Sequence, residues 1–406
     1  AGRLAPFGVG VRVLTGETPG GERSRAFAEL SCGTCSIVLT TPEFLAIHAG
    51  RFARTGRVGF VVVDEAHHGG TAQRHGRDAY AQLSPVLAQL GDPTVLAVSA
   101  TADDEAAREL MGLLSIPEDG VIVDATSREN LHVRDMRHVR DRDLAVASVV
   151  AAGDKTIVYV NSRSGASTLA RTLRKSVPDL APHIAFYHAG MQRAQRGRIE
   201  RAFRSGEVSC IVSTSAFGEG VNLPDVRDVV LYHLPFGAVE FNQMSGRAGR
   251  DGEDALVHLC FCQRDVTLNE SILMAAAPQR DLLRDIFVAL RGLCAGDGAV
   301  LTPEQVGEAA ARVRPGLRVQ ADEAASALAI FEELGFVRMR PEGDGRLVTL
   351  EPHPRRSCLE HSSRYLSGLA AYDEFESFKN WVLSCNQEEL ERRITRPIMP
   401  SFGQRL

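Results

Sequence analysis

The chain has 406 residues, enough for two to four domains of ordinary size. Apolar residues make up 44% and charged residues 24%, and no apolar run approaches the roughly 20 residues of a membrane span, which excludes a spanning helix and a disordered composition. The net charge of −5 gives no overall basic field, so any nucleic-acid partner has to be gripped locally.

The elements alternate from the start. Val11–Leu14, Ser36–Leu39, Phe60–Val63 and Thr94–Val98 are short, β-branched, nearly all-apolar runs, as in buried parallel strands. Helical stretches Ala79–Leu90 and Asp104–Leu114 lie between or after them. A polar segment, Thr126–Arg142, reads as a boundary. A second series of strands follows at Thr156–Val160, His183–Tyr187, Ser209–Ser213, Val229–Tyr232 and Ala255–Cys260. Helices at Ala166–Arg174, Ala194–Phe203 and Glu240–Gly246 separate them. After Val266 come helices Gln279–Cys294, Thr302–Ala311 and Ala321–Leu334. Gly335–Arg340 and Arg346–Leu350 then flank Gly343-Asp344, a hairpin signal, and the whole suggests a winged helix-turn-helix. The tail reads as helical over Tyr365–Leu383 and Gln387–Thr395. The expected domains are 1–125, 126–265, 266–352 and 353–406.

Four sites carry chemistry. Val61-Val62-Val63-Asp64-Glu65-Ala66-His67 ends a buried strand in two carboxylates, at the sheet edge where α/β proteins bind ligands. There Asp64 suits Mg²⁺, usually through water, and Glu65 suits a role in orienting or deprotonating an attacking water. Ser99 and Thr101 follow the next strand and offer hydroxyls that can link this motif to a neighbouring domain. Thr214 to Asn222 runs from a strand into a loop whose Gly218 and Gly220 permit close backbone approach to a phosphate. Gln243-Met244-Ser245-Gly246-Arg247-Ala248-Gly249-Arg250 places two planar guanidinium forks three residues apart, which suits phosphate oxygens.

On these residues the chain resembles a superfamily-two helicase, specifically the RecQ family. Asp64–His67 matches the Walker B, or DEAH, motif, and Ser99-Ala100-Thr101 matches motif III. Thr156–Arg163 resembles motif IV, Tyr187–Met191 with Arg196–Phe203 the "YHAGL…R…F" stretch, Thr214–Asn222 motif V and Gln243–Gly252 motif VI. The resemblance covers residues 8–262. It implies an α/β fold with two RecA-like parallel-sheet domains, the first truncated, followed by the winged helix and the helical tail. It also implies ATP and Mg²⁺ between the two domains and single-stranded DNA across their top. Arg250 is then the arginine finger and Arg247 the second γ-phosphate contact. Gly218, Gly220 and Asn222 join ATP to DNA movement, with His67 and Gln243 as further nucleotide-coupling positions. Thr214, Arg77 and Tyr80 are implied DNA contacts. The wing arginines Arg338, Arg340 and Arg346 are candidate phosphate contacts on duplex DNA.

The chain departs from the RecQ pattern in several ways. No G-x-x-x-x-G-K-[ST] loop occurs, and none of the three lysines among the 46 Lys and Arg follows a glycine. With Ala1 in place of Met, this reads as a fragment whose phosphate loop lies upstream. The loop from His68 to Gly76 lacks the DNA-sensing aromatics, and Asn222 stands where many RecQ proteins have Asp. Of eight cysteines only Cys32-x-x-Cys35 has metal or redox spacing, so no zinc is expected. Reduced cysteines point to a bacterial cytoplasmic chain without a membrane partner. The tail resembles C-terminal segments of RecJ-type exonuclease chains, which implies an exonuclease domain or partner. The leading expectation is an ATP-dependent DNA helicase in repair or recombination, inactive as this fragment alone. The alternative is a helicase-like scaffold that binds DNA or a nuclease without turnover.

Overall fold

A computed structural model describes residues 7–66, 80, 82–218, 223–296, 298–314, 316–352, 358–396 and 398–405. The chain forms two compact units, residues 1–124 with 398–406 and residues 125–397, so it crosses between them twice.

In the first unit, the elements run β1 (Val11–Leu14), α1 (Gly20–Cys32), β2 (Ile37–Thr40), α2 (Pro42–Thr55), β3 (Phe60–Val63), α3 (Leu83–Gln89), β4 (Thr94–Ala97), α4 (Asp104–Leu114) and β5 (Ile122–Val123). Local chemistry fixes several ends. The Thr41 side chain accepts from Phe44 N–H, Pro42 opens α2, and Gly56 closes it in the left-handed region. Asp103 caps α4 at 2.9 Å from Ala106 N, with Asp104 and Glu105 favourable at the positive helix end. β1 pairs with β2 and β3 with β4, both parallel. Period two sends Leu14 and Val63 into the helix-covered core, while Val13, Leu39, Phe60, Val62 and Leu96 on the other face are exposed. Parallel strands are ordinarily covered on both faces.

The last described residues belong to this unit. Gln404–Arg405 pairs parallel with β5, Ile398 bridges Thr101, and the Ser401 hydroxyl donates to Asp104 at 2.6 Å. The Ser401 contacts hold the Asp104 carboxyl below the usual range.

The second unit has a six-stranded parallel sheet. Its elements are β6 (Leu131–Asp135), α5 (Arg142–Val150), β7 (Thr156–Tyr159), α6 (Arg163–Ser176), β8 (Ile184–Tyr187), α7 (Arg193–Ser205), β9 (Cys210–Ser213), β10 (Asp228–Leu231), α8 (Ala238–Ser245) and β11 (Ala255–Leu259), with strand order β6-β11-β10-β7-β9-β8. Both faces are packed. Ile157, Tyr159, Ile211, Val229 and Leu231 enter one core, and Val158, Val160, Val212 and Val230 enter the other.

After α9 (Gln263–Ala276) comes a small module: α10 (Arg280–Leu293), β12 (Ala299–Leu301), α11 (Pro303–Val313), α12 (Ala321–Glu333), β13 (Val337–Glu342) and β14 (Gly345–Leu350). Its sheet has the order β12-β14-β13. The three helices and the hairpin sit where the sequence placed them, and β12 is an added strand. Leu283, Ile286, Leu290, Val306, Phe331 and Val348 form its own core.

The tail, expected as one segment from 353, is divided. Phe375, Phe378 and Val382 on α13 (Ser363–Ser384) and Leu390 and Ile394 on α14 (Gln387–Thr395) enter the core of the second sheet. Phe375, Phe378 and Val382, and Leu390 and Ile394, are each spaced to share one helix face, and that face is buried against the sheet. Among the described residues, no helix is long and apolar enough to cross a membrane.

Candidate nucleotide and nucleic-acid sites

In the first unit, β3 ends directly in Asp64 and Glu65, both exposed. Glu65 has φ +50°, a left-handed conformation that costs a non-glycine residue of order 1 kcal/mol. Its N–H donates to Asp64 Oδ1 at 2.9 Å, which orients that carboxylate. Ladder bonds from Ala66 N to Val98 O and Val98 N to Val63 O, each 2.9 Å, hold the end of β3 beside the segment leaving β4. The acidic pair and Ser99 are therefore neighbours at one sheet edge. The Ser99 hydroxyl accepts from Thr101 N–H at 3.2 Å, and Thr101 is buried.

Tyr80, expected as a DNA contact, is instead a core residue of this unit, packed in the cluster of Val63, Ala66, Leu83 and Leu87. Its ring contributes apolar area to the helix-covered face. His67, Arg77, Gly220 and Asn222 lie outside the described residues.

In the second unit, motifs V and VI meet. Gly218 has φ +108°, and a Cβ there would lie 2.8 Å from Arg247 Nε, so only glycine lets the arginine pack against this backbone. The Tyr159 hydroxyl donates to Phe217 O at 3.1 Å from below, and burial pushes its pKa up to about 12, keeping it a donor. Thr214, directly after β9, and Gln243, on α8, are both half-buried. Arg250 is exposed, its Nε 3.2 Å from Gly246 O. Arg227 pairs with Asp251 and holds that carboxyl below its usual range.

Two residues absent from the sequence reading hold the motif VI turn. Arg128 donates to Gly246 O at 3.0 Å, Ala248 O at 2.5 Å and Gly249 O at 2.7 Å. Asn130 Nδ2 donates to Gly249 O and Glu253 O, each at 2.8 Å. Gly249 has φ +52°, and a Cβ there would sit 2.6 Å from Asn130 Nδ2. Both donors lie in the polar stretch read as a boundary, and nothing local in the sequence marks them as parts of a site.

Glu240 on α8 accepts from Phe236 N–H at 2.8 Å, yet burial raises its carboxyl pKa, with nearby Glu374 adding to the shift. A raised carboxyl favours folding below the unfolded pKa, and that contribution is lost as pH rises through the folded value. Glu240→Gln, which keeps the shape and the acceptor, is therefore expected to raise the melting temperature near pH 8 but not near pH 4. Melting curves of both proteins across that range check this, and a difference independent of pH would contradict it.

In the β13–β14 hairpin, alternation separates the three arginines. Arg338 faces Thr349 and Arg340 faces Leu347 on one side, whereas Arg346 pairs with Pro341 on the other. All three are exposed; Arg338 contacts Glu351 at 2.8 Å and Arg340 contacts Glu342 at 3.6 Å.

Two family models match this architecture: DEAD/DEAH box helicase over residues 3–110 and helicase conserved C-terminal domain over residues 141–252. The chain thus carries a DEAD/DEAH box helicase domain followed by a helicase conserved C-terminal domain. Its curated relatives include helicases named RecS and RecQ. It is 30% identical over 237 residues to the probable ATP-dependent DNA helicase RecS of Bacillus subtilis, covering 57% of this chain and 47% of that protein. It is 29% identical over 266 residues to the ATP-dependent DNA helicase RecQ of Pasteurella multocida, covering 64% and 41%. The chain thus spans less than half the length of these relatives. In fold it is similar to the helicase MrfA solved bound to DNA (TM-score 0.52, 18% identity, 87% of this chain and 50% of that one). It is also similar to the Mycobacterium smegmatis helicase Lhr solved with single-stranded DNA and AMP-PNP (TM-score 0.50, 19% identity, 91% and 50%).

Proposed function

We propose that the chain is the greater part of an ATP-dependent DNA helicase or translocase of RecQ type, acting in DNA repair or recombination. The observation that carries this reading is the seating of Arg247 on Gly218, with Arg250 on the same turn, in a chain that also ends β3 in Asp64-Glu65.

In this reading Asp64 would hold Mg²⁺, which when bound would supply charge neutralisation for the nucleotide phosphates. One carboxylate suffices when phosphates complete the shell, and among the described residues no group of three or more His, Cys, Asp or Glu could hold a metal by itself. Glu65 orients or deprotonates the attacking water. Arg250 stabilises charge developing on the γ-phosphoryl group, and Arg247 contacts the same group. Ser99, Thr101, Gly218 and Gln243, with His67, Gly220 and Asn222, couple nucleotide state to the grip on DNA. Thr214 and Arg77 contact the single strand.

No G-x-x-x-x-G-K-[ST] loop occurs in the 406 residues. We place the phosphate-binding loop in polypeptide outside this sequence, and the bare apolar face of the first unit's strands is consistent with a layer supplied from there. A bacterial cytoplasmic setting and an associated exonuclease domain belong to the same reading.

The test is ATP hydrolysis by the full-length protein with and without single-stranded DNA. DNA-stimulated turnover by that protein, with none from the 406-residue chain by itself, is the expected result. DNA binding without turnover would instead favour a scaffold, the reading that the missing loop motivates.

The wing arginines serve as phosphate contacts on duplex DNA. Replacing Arg338 and Arg340 together with Ala is expected to reduce the slope of log K against log salt by about 2, at about 0.9 per phosphate contact. An unchanged slope would remove both residues from the interface.

A further inference from the structure

We propose that Arg128 and Asn130 are positioning residues for the arginine finger: they clamp the carbonyls of the motif VI turn so that Arg250 can leave its resting contact and reach a γ-phosphate. The inference rests on the helicase reading above.

The turn follows the C-terminus of α8, where carbonyls run out of helical partners. A cation is the favoured partner at that end. Arg128 fits in charge and in shape, since its planar fork meets three successive-turn carbonyls at 2.5–3.0 Å. Asn130 adds two bonds at 2.8 Å, so five side-chain bonds from one short segment fix residues Gly246 to Glu253. Gly249 is the residue between the two arginines' ends of the turn, and its left-handed backbone lies directly against Asn130.

The sharing at Gly246 gives the clamp its consequence. Gly246 O accepts from both Arg128 Nη1 at 3.0 Å and Arg250 Nε at 3.2 Å. When Arg250 swings away, Arg128 still satisfies that carbonyl, so Gly246 O is not left unpaired. Without Arg128, Arg250 would be held at Gly246 O as a needed donor, Ala248 O would lose its Arg128 bond, and Gly249 O would keep only Asn130 and Gly252 N–H. Arg128 also lies four residues past Asp124, where the first unit ends, and its N–H donates to Thr395 O at 2.8 Å, just before the second crossing.

The experiment has two arms. In the full-length protein, Arg128→Ala is expected to lower kcat for DNA-stimulated ATP hydrolysis about a hundredfold while leaving KM for ATP unchanged. Arg128→Lys, which keeps the charge but not the fork, should recover little of it, and Asn130→Ala should give a smaller loss of the same kind. In the 406-residue chain, hydrogen exchange at the amides of Gly246–Gly252 should accelerate in each variant with the core strands β7 and β10 still protected. If Arg128→Ala does not fold, Asn130→Ala and Arg128→Lys decide the matter by the same readouts. Unchanged loop exchange would overturn the clamp. Accelerated exchange with wild-type kcat would overturn its role in positioning the finger. If the wild-type full-length protein hydrolyses no ATP, the helicase reading itself has failed, and hydrogen exchange still judges the clamp.

Discussion

Replacing Arg250 with Ala in the full-length protein is expected to lower DNA-stimulated ATP turnover about 10³-fold or more, with nucleotide binding retained. The size follows from the role: a guanidinium aimed at charge that develops only in the transition state affects kcat and leaves ground-state binding in place. The structure makes the test clean. Arg250 is exposed, and its Nε contact to Gly246 O is duplicated by Arg128, so truncation leaves that carbonyl with a donor. The second unit should therefore still fold cooperatively. Steady-state turnover and a thermal melt of the same preparation check the two halves. Turnover that survives the substitution would remove Arg250 from the chemistry.

Glu65→Gln is expected to cost a further class of variant about 10²–10⁴-fold in kcat, the usual weight of a general base or water-orienting carboxylate. The substitution keeps the side chain's length and the backbone N–H that orients Asp64, so cation and nucleotide binding should persist. Single-turnover hydrolysis with labelled nucleotide separates binding from chemistry. A Glu65→Gln protein with normal turnover would exclude the carboxylate as base. The backbone supplies a second readout at this position. Glu65 sits at φ +50°, so Glu65→Gly should relieve about 1 kcal/mol of strain and stabilise the first unit while abolishing turnover. A gain in stability joined to a loss of activity is what a strained functional residue produces.

The local signals in this sequence were strong where structure repeats with a short period. Apolar β-branched runs such as Phe60–Val63 and Thr156–Tyr159 form strands, and the second is buried on both faces of its parallel sheet while the first buries only the face of Val63. Thr41-Pro42 and Asp103 announce helix starts by chemistry confined to one turn. Motif VI was legible because Gly and Arg at fixed offsets serve a local backbone shape. β6 was hidden for the same kind of reason. It lies at the sheet edge, so Leu131 and Val133 are buried while His132 and Arg134 face out, and the alternation dilutes into a segment that reads as polar.

What the sequence determined by itself was the order of elements, the two α/β units and the identity of the acidic and arginine motifs, because each is encoded within a few residues. Tertiary structure alone decided which distant groups meet. It buried Tyr80 in a core, split Arg346 from Arg338 and Arg340, and drew α13 and α14 onto the second sheet. It also brought Arg128 to carbonyls about 120 residues further along the chain. Periodicity records which face of an element is apolar, but a hydrogen-bond donor's partner is set by the packing of whole elements, and no local pattern carries that information.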